Sequence, residues 1–356
     1  MKRTGGYVAM LVVLLSGGCA TTFRQTGEAG RPPLRPRALD CLKAASRYDH
    51  NPVVRVAAVE AFESSGCDEA RPWIRLALLD QEPAVRFAAC AAVAQLADKS
   101  AGGVVHDLAD DEDGSVRVAA LVALHRLGDT RRTNRLPPYL LDHEDVTVRR
   151  NAAMMLGRMG EPGAIKILAR AMRDPDPGVR HHALEALARL GNPEARQELT
   201  FMANTGVGSE EVFAINALAA TGDSLYRDTF LYKLGTATHL ETRLAAAHGL
   251  GLLGWDEGFQ VALRALRPRR PRIWDPNDPP EDQILRVRLL AIGALGAIGR
   301  TDALAELETL LPKPWNTERG RDPRIQLAAA RAILEILKAN RESVLPSATR
   351  QTRHRR

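Results

Sequence analysis

The stretch that decides the fold runs from Asp80 to Ala97 and reads Asp-Gln-Glu-Pro-Ala-Val-Arg-Phe-Ala-Ala-Cys-Ala-Ala-Val-Ala-Gln-Leu-Ala. Its chemistry is that of one capped helix. Asp80 is placed to accept hydrogen bonds from the free N–H groups of a first turn, and Pro83 sits where no N–H is needed. Apolar residues then recur at helical spacing. The same text returns at Asp49–Gly66, Asp111–Gly128 and Asp174–Gly191, and one residue longer at Asp142–Gly160, each closed by a glycine suited to a left-handed exit.

The motif arginine falls at Arg55, Arg86, Arg117, Arg149, Arg180, Arg243 and Arg288. The long step from Arg180 to Arg243 spans two units, with Glu211 in the arginine slot of a degenerate copy ending at Gly222. A ninth, weaker copy runs from Asp322 through Ile325, Ala329 and Ile333 to Leu337. Between copies lie shorter amphipathic segments such as Trp73–Leu79 and Ala164–Ala169, so each unit is a helical hairpin. One hairpin cannot bury its apolar side alone, and the hairpins must stack. The predicted fold is all-α, an α-α superhelix of about nine hairpins. At about 8–10 Å per helix pair it extends about 70–90 Å.

This pattern resembles the HEAT-repeat family, in particular short HEAT-like repeats similar to those of phycobilisome lyases. The resemblance covers about residues 38–338. It implies that the recurring Asp and Arg form a structural ladder, each Arg reaching an Asp of a neighbouring repeat. Asp49 and Arg55, Asp80 and Arg86, Asp111 and Arg117, Asp174 and Arg180, and Asp282 and Arg288 stand six apart; Arg149 and Arg243 take the same slot. At Glu211 the ladder should break, with weaker stacking or changed curvature.

The 356 residues are 45% apolar and 4% aromatic, which excludes wholesale disorder and argues against an all-β fold. The formal net charge of +6 is too small for a dedicated nucleic-acid binder. The N-terminus has a basic start at Lys2 and Arg3, an apolar run from Tyr7 to Leu15, and small residues before Cys19. Such an order is that of a secretory signal, and the run is too short for a lasting membrane span. It resembles the lipobox of bacterial lipoproteins, with Ser16 where Leu is usual and Leu15 one step further out. The resemblance implies cleavage after Gly18 and lipidation of Cys19. Secretion with a free Cys19 is the alternative. Ala20 after the cysteine favours the outer membrane.

The organisation expected is therefore a signal at 1–18, a lipidated tether at 19–37, a repeat body at 38–340 with a loop inserted at 267–282, and a basic tail at 341–356.

Candidates for chemistry reduce mostly to structure. Gly249, Gly251 and Gly254 match a dinucleotide fingerprint but lack the strand it requires. Gly254 is the repeat's terminal glycine and Gly249 and Gly251 lie in the Arg243 helix; the same spacing at Gly293, Gly296 and Gly299 makes tight helix packing the better reading. Asp110–Gly114 fails a calcium loop because Ala109 and Ala120 occupy ligand positions. Asp275, Asp278, Glu281 and Asp282 read as a solvated loop rather than a metal site. The scattered histidines give no zinc spacing. No cofactor, metal or catalytic residue is assigned, and the chain is not expected to be an enzyme. Cys90 reads as core, while Cys41 and Cys67 lie where antiparallel helix ends could bring them into a disulfide, two free thiols being the alternative.

Two surfaces are candidates for a partner. Arg126, Arg158 and Arg189 hold equivalent places in successive repeats and would stack into a basic ridge. The insertion carries Arg267, Arg269, Arg270, Arg272 and Trp274, and insertions emerge on one face of a repeat array. The expected role is an envelope lipoprotein whose concave face holds a protein partner, with no nucleic acid. The alternatives are a structural lipoprotein that binds peptidoglycan or lipopolysaccharide, and a lyase-like enzyme subunit.

Overall fold

The computed structural model describes residues 33–48, 50–267, 279–312 and 322–344. They form nine helical hairpins. The first helices of the hairpins are α1 (Leu34–Ala45), α3 (Arg71–Ala77), α5 (Gly102–Leu108), α7 (Leu136–Leu141), α9 (Ile165–Ala171), α11 (Pro193–Thr205), α13 (Arg227–Thr236), α15 (Phe259–Ala265) and α17 (Leu304–Glu308). The second helices, which carry the motif, are α2 (Pro52–Ser65), α4 (Pro83–Leu96), α6 (Gly114–Arg126), α8 (Val146–Met159), α10 (Pro177–Arg189), α12 (Ser209–Ala219), α14 (Leu240–Leu252), α16 (Pro280–Ile298) and α18 (Pro323–Val344). Helix α1 begins at Leu34 and buries Leu34 and Ala38, so the repeat body starts before the expected residue 38.

The motif helices pack on one another in chain order from α2 to α18, and each first helix packs against its own partner. This follows from the sequence. The motif helices are built of Ala, Val and Leu on nearly every side, and α4 and α6 are buried along most of their length. Small side chains let neighbours approach closely: a Cβ at Gly157 would meet Ala186 at 2.6 Å, and one at Gly251 would meet the α16 backbone at 2.6 Å.

The stack does not end where it began to be counted. Helix α18 packs against both α1 and α2, and Arg37 of α1 donates to Glu308 of α17. The ninth hairpin thus lies against the first, and the motif helices form a closed ring. The open body about 70–90 Å long inferred from stacking is corrected here. A constant small rotation per repeat brings the apolar sides of α1 and α18 together, and burying both removes two exposed ends.

Helix entry also differs from expectation. Because Pro83 and Pro177 occupy the first helical position, the cap is the residue before each, two places after the motif aspartate. Asp113 and Asp176 are the capping side chains, accepting from Val116 and Val179 N–H. The motif aspartates Asp80, Asp111 and Asp174 instead accept from the N–H two residues on, at 2.9 Å in each case, closing a turn before the helix.

Candidate functional site

The ladder arginines are held at both ends. Arg55 forks onto Asp80 at 2.8 Å and 2.8 Å, Arg86 onto Asp111 at 2.9 Å and 2.9 Å, and Arg149 onto Asp174 at 2.8 Å and 3.1 Å. Each pair spans 25 residues, one repeat to the next. The Nη1 of Arg86, Arg149 and Arg180 donates to the carbonyl six residues back, on Asp80, His143 and Asp174. That is the physical content of the six-residue spacing.

Arg117, Arg180 and Arg243 bond other oxygens. The extra residue in the Asp142 copy puts Tyr139 beside Arg117, whose Nε donates to its hydroxyl at 2.8 Å. Arg180 bonds the carbonyls of Asp174 and Pro175, and Arg243 that of Leu234. Arg288 lowers the Asp322 carboxyl as one of several nearby charges, after Arg324. Asp282 lies in the first turn of α16, and Asp49 lies outside the described residues.

At Glu211 the rung is replaced rather than lost. The buried carboxylate accepts from Lys233 Nζ at 2.7 Å and from Thr242 Oγ1 at 2.8 Å, so the charges are exchanged between the layers. Lys233 is itself buried and reaches the Asn204 carbonyl at 3.4 Å, which ties α11, α12 and α13 together.

A cluster of charged side chains from α2, α8 and α18 crosses the inner side of the ring. Arg158 of α8 donates to Glu63 of α2, three motif helices away around the ring. Glu60, Glu63, Arg158 and Arg331 gather there, and Glu335 bonds Arg331 at 2.8 Å. Glu60 keeps contact with solvent yet is surrounded by protein. Burial therefore pushes both α2 carboxyls up, against the pull of the two arginines. Burial pushes His248 down, beside Glu335 and Arg331.

Of the three ridge arginines, Arg158 and Arg189 line one opening on α8 and α10 and both make ion pairs. Arg158 is spent on Glu63 and Arg189 on Glu185 at 2.8 Å, while Arg126 is exposed at the end of α6. Arg267 is exposed and pairs with Glu306 at 2.8 Å. Arg269, Arg270, Arg272 and Trp274 lie outside the described residues, as does Cys19.

Cys41 and Cys67 are separate thiols, which corrects the disulfide reading. Cys41 is buried on the core side of α1, where burial pushes its thiol up to about 12. Cys67 stands 3.1 Å from Ser65 Oγ. Gly249 and Gly251 are inside α14, where Gly249 meets Phe230 and Ala219. Gly296 meets Ala332, but nothing lies within 4 Å of a Cβ at Gly293, so only the former serves packing.

The surface that sequence reading missed is on the outer layer. Helices α11 and α13 have 13 and 10 residues, against five to seven in α3, α5, α7, α9, α15 and α17. Their extra turns border a groove of about 620 Å³. Pro193, Arg196, Gln197, Thr200, Phe201 and Asn204 line one wall, a single face of α11. Leu225 and Thr229 line the other. Phe201 is 66% exposed, Leu225 76% and Tyr232 62%, a concentration of large apolar surface that folding does not explain. The signal was present in the text, since the degenerate Glu211 copy is where α11 lengthens.

These features define a helical-repeat protein whose buried charges serve stacking and whose outer layer is open for contact. The chain is a HEAT-repeat protein: the HEAT repeats family matches residues 39–125, 70–142 and 133–211. It is 35% identical over 146 residues to a HEAT repeat-containing taxis protein of Halobacterium salinarum, covering 40% of this chain and 32% of that protein. The chain thus spans about a third of that relative's length. Among solved structures, the phycocyanin lyase complex from Nostoc sp. matches with a TM-score of 0.42 and 18% identity, over 74% of this chain and 96% of the other. Human deoxyhypusine hydroxylase matches with a TM-score of 0.36 and 18% identity, over 86% and 97%.

Proposed function

We propose that this HEAT-repeat protein is a non-catalytic scaffold that binds a protein partner through its outer layer, and that it works in the bacterial cell envelope, lipidated at Cys19 and facing the periplasm. The observation that carries the binding role is the exposed apolar groove between α11 and α13. Its walls are fixed in advance by the Lys233–Glu211 link, so little order has to be gained on binding. The concave side, which the sequence favoured, carries the Arg158–Glu63 contact, with Glu60 and Arg331 exposed beside it. A non-catalytic role is supported by the use of the ladder arginines and their aspartates as rungs between repeats.

The envelope assignment rests on the order of Lys2, Arg3, the apolar run and Cys19. No described helix is long and apolar enough to cross a membrane, so in this reading attachment falls to the lipid. Fractionation of cells tests the anchor: Cys19→Ala should move the chain from membranes to the soluble fraction with its helical content intact. Retention of that variant in membranes would sink the anchor. Crosslinking in intact cells tests the scaffold, which requires a discrete, stoichiometric protein complex.

A further inference from the structure

The scaffold reading names a surface but no occupant, and the groove's own chemistry narrows the choice. On α11 the lining residues fall at spacings of three and four, so the groove presents one continuous helix face about 13 residues long. Its only charged lining residue is Arg196, which is committed to Asp223 at 3.1 Å and to the Ala188 carbonyl at 3.0 Å. The floor therefore offers an uncharged strip of apolar surface, hydroxyls and side-chain amides.

The rim is different. One step round α11 from the lining face stand Glu194 and Glu198, both exposed, and Glu210 is exposed at the start of α12. Asp228 lies in the first turn of α13 and is 93% exposed at its side chain. From Asn192 to Thr236 the chain has six acidic residues and three basic ones, and of these Glu211 and Lys233 cancel in the interior. A local excess of negative charge thus borders the groove in a chain whose formal net charge is +6. Exposed aromatic and aliphatic residues framed by one sign of charge select for a complementary partner.

We infer that the α11–α13 groove receives an amphipathic helix of a partner protein, its apolar stripe on Phe201 and Leu225 and its basic flank against Glu194 and Glu198. Two adjacent helices leave a furrow that a third fills, with anchors at i, i+3, i+4 and i+7. The basic flank adds register and association rate, and the apolar stripe supplies most of the affinity. This inference rests on the scaffold reading and can fail without it.

The test uses the full chain and three labelled synthetic peptides of about four helical turns, long enough to lie along α11. One has an apolar stripe with lysine flanks, one the same stripe with glutamate flanks, and one the composition of the first with the stripe scrambled. Fluorescence anisotropy should show saturable binding of the lysine-flanked peptide, with the other two at least tenfold weaker. Phe201→Ala and Leu225→Ala, both at exposed positions, should each weaken binding at least tenfold. Glu194→Gln with Glu198→Gln should weaken it less and flatten its salt dependence.

Binding of none of the three peptides, equal binding of all three, or binding unchanged by Phe201→Ala overturns the inference. So does a concentration-dependent dimer of the chain that Phe201→Ala abolishes, which would make a second copy the occupant. A stoichiometric complex in cells that survives Phe201→Ala rejects the groove while leaving the scaffold reading intact. If no such complex forms, the scaffold reading itself falls.

Discussion

Arg86 and Asp111 stand 25 residues apart in the chain and meet in a two-pronged contact, Nε to Oδ2 and Nη2 to Oδ1, each at 2.9 Å. The arginine is 8% exposed and its remaining Nη1 donates to the Asp80 and Gln81 carbonyls. One side chain therefore joins its own helix entry to that of the next repeat. Arg86→Ala leaves Asp111 without its partner, and breaking such a pair costs about 3 kcal/mol. Urea unfolding should show that loss. Arg86→Lys should recover less than half of it, because an ammonium cannot reproduce the fork.

Ala97 ends α4 in the left-handed conformation, at φ 47°, where seven other repeats place glycine, from Gly66 to Gly299. A Cβ is disfavoured there by about 1–2 kcal/mol, partly offset by glycine's larger freedom in the unfolded chain. Ala97→Gly should raise the unfolding free energy by about 0.5–1 kcal/mol in urea titration. A drop in stability would show that the methyl group packs usefully.

Restoring the consensus residue at position 211 should harm the protein. Glu211→Arg would set a guanidinium against Lys233, which is buried and now pairs with the carboxylate at 2.7 Å. An unpaired buried charge costs about 3–5 kcal/mol, so the variant should unfold at markedly lower urea than the wild type. The charge-exchanged pair, Glu211→Lys with Lys233→Glu, should recover part of that loss.

The hairpin count, the helix boundaries to within a few residues and the apolar faces were legible because they depend on local spacing. Asp80 to Arg86 is a distance along the chain, and its meaning is settled by the turn it spans. Ring closure was not legible. It depends on a rotation accumulated over nine repeats, and no single copy of the motif encodes whether α18 reaches α1. The use of Arg158 was hidden for the same reason, since its partner Glu63 lies 95 residues away. Of the interaction surfaces, the groove was announced only by irregularity: Glu211 in an arginine slot marks where the outer helices lengthen. The disulfide reading failed because proximity of helix ends in a diagram does not fix which way Cys41 faces, and it faces the core.

Acid should loosen the ladder over a defined interval. Burial works to raise the Asp80 and Asp174 carboxyls, but the guanidiniums of Arg55 and Arg149 and the backbone N–H groups of Glu82 and Asp176 outweigh it, leaving both below the usual carboxylate range. A depressed folded-state value means stability that is present above the unfolded value, near pH 3.9, and is lost as pH falls toward the folded one. Urea midpoints measured from pH 6 to pH 3 should therefore fall below about pH 4. The fall should be shallower in Asp80→Asn and Asp174→Asn, which start from lower stability at pH 6.

Removing α18 by ending the chain before Asp322 tests the seam. The truncation would uncover the sides of α1 and α2 on which that helix packs. Binding of a hydrophobic dye and self-association in sedimentation are expected. A monomer with unchanged dye binding would show that α1 does not need the last hairpin.

A stack with two free ends can lengthen or shorten by whole units, because each unit sees only its neighbours. Here the last neighbour of α18 is α1. The copy number is consequently an angular quantity: adding or losing one hairpin would require every remaining joint to adjust its turn or the seam to part. Evolution of such a chain is confined to altering units in place, and the elongated α11 and α13, which project outward without changing the circumference, are a change of that permitted kind.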